Sequence, residues 1–65
     1  MDWTERAEQA ANRLADLNLI EEAWYLRGVI DALAGARPDQ GALRGPHGEH
    51  YDWGYRVTSN WDKAS

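Results

Sequence analysis

Residues 24–30 read Trp-Tyr-Leu-Arg-Gly-Val-Ile and decide the fold, because they place Gly28 inside a helical pattern. Apolar residues at helical spacing predict a helix over about 19–34, and Gly35 supplies a natural stop. A glycine within a helix costs about 1 kcal/mol relative to alanine. Gly28 therefore indicates close backbone contact with the first helix, the third element or another chain.

A second helix is predicted upstream, over about 3–17. Asp2 can cap it, and Glu5 completes a capping-box pattern. Steps of four and three connect the apolar or small residues Trp3, Ala7, Ala10, Leu14 and Leu17. Asn18 is predicted to end this helix and to cap the next. So short a link between amphipathic helices implies an antiparallel hairpin.

The remainder of the chain divides into a Gly/Pro loop at 35–48 and an aromatic segment at 49–63. With period two, the aromatic residues of that segment share one strand face, but no other segment supplies an obvious sheet partner. With helical period, they form two stripes. We predict a single small all-α domain, in which a third short aromatic-rich helix packs across the hairpin, and a strand is the alternative for the last segment.

Composition excludes several classes of protein. The 65 residues contain 11 acids, 7 bases and no cysteine, which gives a formal net charge of -4 and no disulfide. The acidity opposes binding to phosphate backbones, so nucleic acid is not an expected partner. No apolar run is long enough to span a membrane, and the acidic start is unlike a secretory signal. We expect a cytoplasmic protein, in a bacterial cell or a phage-infected host.

Catalytic and metal-binding patterns are weak. There is no cysteine nucleophile, no Gly-x-Ser-x-Gly motif and no phosphate-binding glycine loop. His47 and His50 are three positions apart and are the best metal candidates, yet two such residues do not make a zinc motif. The prediction is a protein without enzymatic activity, cofactor or bound metal.

Aromatic residues are the strongest functional signal, since four Trp and three Tyr exceed what so small a core can hide. Exposed Trp, Tyr and Arg side chains dominate protein interfaces. The first helix adds an acidic face that suits a basic partner. The predicted partner-binding residues are Glu5, Glu8, Asp16, Trp53, Tyr55, Arg56 and Trp61.

Two short units of the sequence echo each other. Tyr25-Leu26-Arg27-Gly28-Val29 is followed by Tyr51-Asp52-Trp53-Gly54-Tyr55-Arg56. Over residues 24–58 this pattern resembles the ribosome modulation factor family. The resemblance implies two helices packed through their glycines and binding to the small ribosomal subunit. That family is strongly basic and carries a Cys-Pro turn, whereas this chain is acidic and has no cysteine.

Three functions follow from these patterns. The first is a small non-enzymatic protein-binding protein, for example a phage-encoded inhibitor of a bacterial nucleic-acid enzyme. The second is a ribosome-associated factor. The third is a self-assembling component of a phage particle, in which the partner is another copy of the chain.

Overall fold

The computed structural model describes the backbone of residues 2–64 and the side chains of residues 2–61. Its helices are α1 (Trp3–Asp16), α2 (Ile20–Leu33), α3 (Gln40–Arg44) and α4 (Gly48–Ala64). Residues 2–64 contain no strand, so the all-α prediction is confirmed and the strand alternative for the last segment is wrong. The last helix is also not short, because its 17 residues make it the longest of the four.

Local signals explain both ends of α1 and the end of α2. The Asp2 carboxylate accepts hydrogen bonds from the N–H groups of Thr4 (2.6 Å) and Glu5 (3.3 Å), as the capping prediction requires. Asn18 ends α1 with a left-handed φ of 66°. It does not cap α2, whose N-cap residue is Leu19, without a side-chain hydrogen bond. Gly35 follows α2 with a φ of 72°.

The predicted loop at 35–48 contains the five-residue helix α3. The Asp39 carboxylate accepts hydrogen bonds from the N–H groups of Gly41 (2.9 Å) and Ala42 (3.3 Å) and so starts this helix. An aspartate cap is therefore enough to begin one helical turn within the Gly/Pro loop.

Two glycines bring α2 and α4 into backbone contact. A Cβ atom added at Gly28 would collide with the carbonyl of Tyr51 and would lie 2.8 Å from the backbone nitrogen of Tyr55. A Cβ added at Gly54 would collide with the carbonyl of Tyr25. Each glycine therefore faces the tyrosine carbonyl of the other Tyr-x-x-Gly unit, and the two units form a reciprocal crossing.

The hairpin of α1 and α2 packs through smaller contacts. Ala11 and Ala23 are buried, and the Arg27 guanidinium donates a hydrogen bond to the Asn12 side-chain oxygen at 2.7 Å. The predicted apolar seam of α1 is displaced around the helix, since Trp3 and Leu17 are exposed. Close approach explains this, because alanines let the two helices meet where a tryptophan would hold them apart.

Helix α2 lies between α1 and α4, which make no backbone approach to each other within the described residues. Over residues 2–64, helix α4 packs on α2 and not on α1, so it does not lie across the whole hairpin. Helix α3 packs against α4. The three long helices lie side by side as one layer with α2 in the middle, and the whole molecule, with α3 on one side of that layer, measures 33 × 30 × 17 Å. Its buried apolar residues are Ala11, Ala23, Ile30, Ala42 and Tyr51. No helix in the described part of the chain is both long and apolar enough to cross a membrane.

Candidate interaction surface

The helical layer has two broad faces of different character. The first, here called the cleft face, carries α3 beside a cleft of about 240 Å³. Its lining consists of Glu8, Trp24, Arg27, Ile30, Asp31, Asp39, Ala42 and Tyr51. Opposite to it is the face here called the apolar face. Its bulky exposed side chains are Trp3, Leu17, Leu33, Trp53, Val57 and Trp61.

Helical phase assigns the residues of α1 and α2 to these faces. Leu17 follows Glu8 by nine positions, and Leu33 follows Trp24 by nine, so each lies about 180° around its helix from a cleft residue. Trp3 is rotated by about 140° from Glu8. The part of the α1 seam that α2 does not bury thus continues the apolar face.

On α4, the apolar face is formed by Trp53, Val57 and Trp61, here called the α4 ridge. These residues are spaced by four positions and lie about 140–180° around α4 from Gly48, which packs against Leu43 of α3, so they form the flank away from α3. The exposed fractions of Trp53 and Trp61 are 59% and 76%, so neither ring is part of the core. Val57 completes the ridge, although sequence reasoning did not include it among the partner-binding residues.

Beside the ridge, α2 and α4 enclose a shallow recess of about 270 Å³ lined by Glu21, Glu22, Tyr25, His50 and Trp53. The Tyr25 and Trp53 rings meet edge to face, with centroids 5.9 Å apart and an interplanar angle of 83°. The His50 imidazole lies 3.7 Å from the Glu21 carboxylate. The apolar face is therefore acidic along this border.

Tyr55 and Arg56 do not join the ridge. The Tyr55 hydroxyl donates a hydrogen bond to the Ala36 carbonyl at 2.7 Å, which ties α4 to the segment after α2. The Arg56 guanidinium pairs with the Asp52 carboxylate one turn earlier, at 3.0 Å. The predicted aromatic and arginine set is thus divided, and the two tryptophans remain together.

The predicted acidic residues lie on α1, away from the α4 ridge. Glu5, Glu8 and Asp16 are all exposed, and helical phase keeps them within an arc of about 80°. Glu8 also contributes to the wall of the cleft. One flat partner cannot cover this acidic side and the apolar face together, because they belong to different sides of the layer.

The histidines do not come together as metal ligands. His50 pairs with Glu21 beside the ridge, while His47 is half-buried just before α4 begins. Within residues 2–61, whose side chains are described, no group of three or more His, Asp or Glu residues is placed to hold a metal ion.

Tyr51 closes the cleft from below and is the largest fully buried side chain among the described residues. Its hydroxyl donates a hydrogen bond to the Asp31 carboxylate and accepts one from the Asp39 N–H at 2.9 Å. Burial, reinforced by the hydrogen bond to Asp31, raises the pKa of Tyr51 to about 12. No sequence pattern beyond the shared Tyr-x-x-Gly unit marks this contact, because Asp31 lies twenty positions before Tyr51.

Comparisons of the chain with models of known protein families, with curated proteins and with solved structures found no match in any of the three.

Proposed function

We propose that this chain is a small non-enzymatic protein-binding protein whose working surface is the apolar face. One observation supports this most directly: six bulky apolar side chains on one face are each exposed by 42–76%. Monomeric proteins rarely leave contiguous apolar patches above a few hundred Å² exposed, and such patches mark binding sites. Tryptophan is also enriched among the residues that contribute most to binding.

The chemistry of the cleft supports a role without catalysis. Its central hydroxyl, on Tyr51, already donates to Asp31 and accepts from Asp39. With its pKa raised to about 12, this phenol stays protonated at neutral pH and is a poor base or nucleophile. Tyr51 acts as a structural tether in this proposal.

The acidic side of α1 favours a second candidate of the same class. The exposed Glu5, Glu8 and Asp16 side chains form a surface that suits a basic protein groove. A phage-encoded inhibitor of a bacterial nucleic-acid enzyme would use this side instead of the apolar face.

The reciprocal crossing of Gly28 and Gly54 favours a third candidate, a ribosome-associated factor, because the resemblance noted above implies such a helix pair. Net charge opposes it. Binding to ribosomal RNA relies on lysine and arginine to release counterions, and this chain carries a formal charge of -4.

Site-specific photo-crosslinking in the producing cell separates these candidates. The photoreactive residue p-benzoylphenylalanine replaces Trp61 on the apolar face, Asp16 on the acidic side of α1, or Arg44 on α3 as the control. We expect adducts of protein mass from position 61, resistant to nuclease, and none from position 44. Adducts from position 16 alone would favour the inhibitor, and nuclease-sensitive adducts would favour the ribosome. No adduct from position 61 would contradict the proposal.

A further inference from the structure

The width of the apolar face restricts what can cover it. The face runs from Leu17 on α1, past Leu33 on α2, to Trp61 on α4, in a layer that measures 33 × 30 Å. A single bound helix is about 10 Å across and would fill one groove only. Globular domains bury their cores between two packed layers, and among the described residues no element packs on the apolar face of this one.

The exposed apolar area is large for so small a chain. Three tryptophans on the apolar face, Trp3, Trp53 and Trp61, are exposed by 48%, 59% and 76%. Because one large aromatic side chain can bury about 150–250 Å², these three leave roughly 280–460 Å² uncovered. That is a third to a half of the roughly 800 Å² that each partner contributes to a standard interface, before the leucines and the valine of the face are counted.

The core of the single layer is thin. Of its five buried apolar residues, three are alanines, and Tyr51 is the only large side chain among them that is fully buried. Chains of this size usually gain stability from disulfides, a structural metal or oligomerisation. Cysteine is absent, and no metal-binding group occurs among the described side chains. Of these routes, oligomerisation needs no other component, because a second copy is present wherever the first is made.

We infer that the apolar face is covered by a second copy of this chain, laid face to face on the first. This inference rests on the proposed function and names the partner of the same surface. The pair is a two-layer helical dimer with the apolar faces inside and the cleft faces outside. Because each copy presents the same surface, the contact is closed and stops at two chains.

The effect of salt distinguishes a second copy from a basic protein as the partner of this face. Two copies carry the same sign of charge, and their repulsion is screened by salt. The dimer should therefore hold or tighten as salt rises from roughly 0.05 to 0.5 M, whereas a complex with a basic partner should weaken.

Sedimentation equilibrium of the purified full chain tests the inference, from micromolar to near-millimolar concentration and at both salt levels. We expect twice the 7.4 kDa chain mass. Trp61→Ala should weaken the dimer about tenfold or more, and adding Trp53→Ala should weaken it further. Arg44→Ala, an exposed change on the cleft side, should leave the mass unchanged. The melting temperature of the parent should rise with concentration, and that of the double variant should not.

Failure of the second-copy inference and failure of the proposed function would give different results. A monomer near millimolar concentration whose position 61 still crosslinks to another protein would overturn the second copy and keep the proposed function. A dimer unchanged by Trp53→Ala and Trp61→Ala would overturn the face-to-face pair, because association would then use a different surface, whereas the proposed function is overturned only if position 61 also gives no adduct. A mass that keeps growing with concentration would also overturn the closed pair.

Discussion

Helix α2 packs on two other helices through small residues, and the two contacts differ in how much room they leave for a larger side chain. Against α4, Gly28 and Gly54 place backbone on backbone, so there is no room for one more carbon atom. Against α1, the contact includes the buried Ala11 and Ala23 and one exposed hydrogen bond between Arg27 and Asn12. The α2–α4 crossing fixes the geometry of the layer, whereas the hairpin leaves the bulky side chains of α1 available to a partner.

The largest loss of stability is expected when a methyl group is added at the α2–α4 crossing. In Gly54→Ala, the new methyl group meets the Tyr25 carbonyl, which belongs to a helix and cannot move alone. We expect a loss of about 3 kcal/mol or more in the free energy of unfolding, measured by urea denaturation with circular dichroism. Gly28→Ala should behave alike, because its methyl group meets the Tyr51 carbonyl.

Gly41→Ala is the matched control for these variants. Its new methyl group would lie 3.3 Å from the Asp39 carboxylate, a side chain that can yield, and alanine favours the helix. Its stability should stay within about 1 kcal/mol of the parent. If Gly54→Ala were equally mild, the helices would not cross at these glycines.

Next in size is the polar tether beneath the crossing. Tyr51→Phe removes the hydroxyl that joins Asp31 on α2 to the N–H of Asp39 before α3. We expect a loss of about 1–3 kcal/mol, because two polar partners lose their hydrogen bond in a partly buried site. Tyr55→Phe removes a more exposed bond to Ala36 and should cost less. Equal losses for the two variants would contradict the tether.

The same tether makes stability depend on alkaline pH. Burial and Asp31 raise the pKa of Tyr51 to about 12, above the ordinary tyrosine value of 10.0, so the folded state holds this proton more tightly. The contribution should be complete below pH 10 and should fall as pH rises through about 12. The difference in unfolding free energy between the parent and Tyr51→Phe should shrink over that range. A constant difference would contradict the assigned proton.

Much of this comparison could be predicted from the sequence. The Tyr-x-x-Gly echo marks the crossing, because glycine inside a helix is costly unless another backbone approaches it. The exposure of Trp53 and Trp61 follows from the excess of rings over core. Spacing could not decide which flank of α1 is buried, since an alanine stripe and a bulky stripe adjoin each other. Nor could it show the contact of Tyr51 with Asp31, which depends on how the helices cross.

A smaller effect is expected at the start of α1. Asp2→Ala removes the acceptor for the N–H groups of Thr4 and Glu5 and should cost about 1 kcal/mol. Hydrogen exchange at these two amides should speed up, while amides at the Gly28 crossing should not change. Asp2→Asn keeps an acceptor and should retain most of the protection. Unchanged exchange in Asp2→Ala would exclude the cap.

The smallest effect should come from the hydrogen bond that joins the hairpin. Asn12→Ala removes the acceptor of the Arg27 guanidinium, but water can replace it at this exposed site. Alanine also favours a helix more than asparagine, which offsets part of the loss. The free energy of unfolding should therefore change by no more than about 0.5 kcal/mol. A loss several times larger in urea denaturation would show that this hydrogen bond, and not the packing of Ala11 on α2, keeps α1 in place. The α1–α2 contact would then be more specific than the α2–α4 crossing.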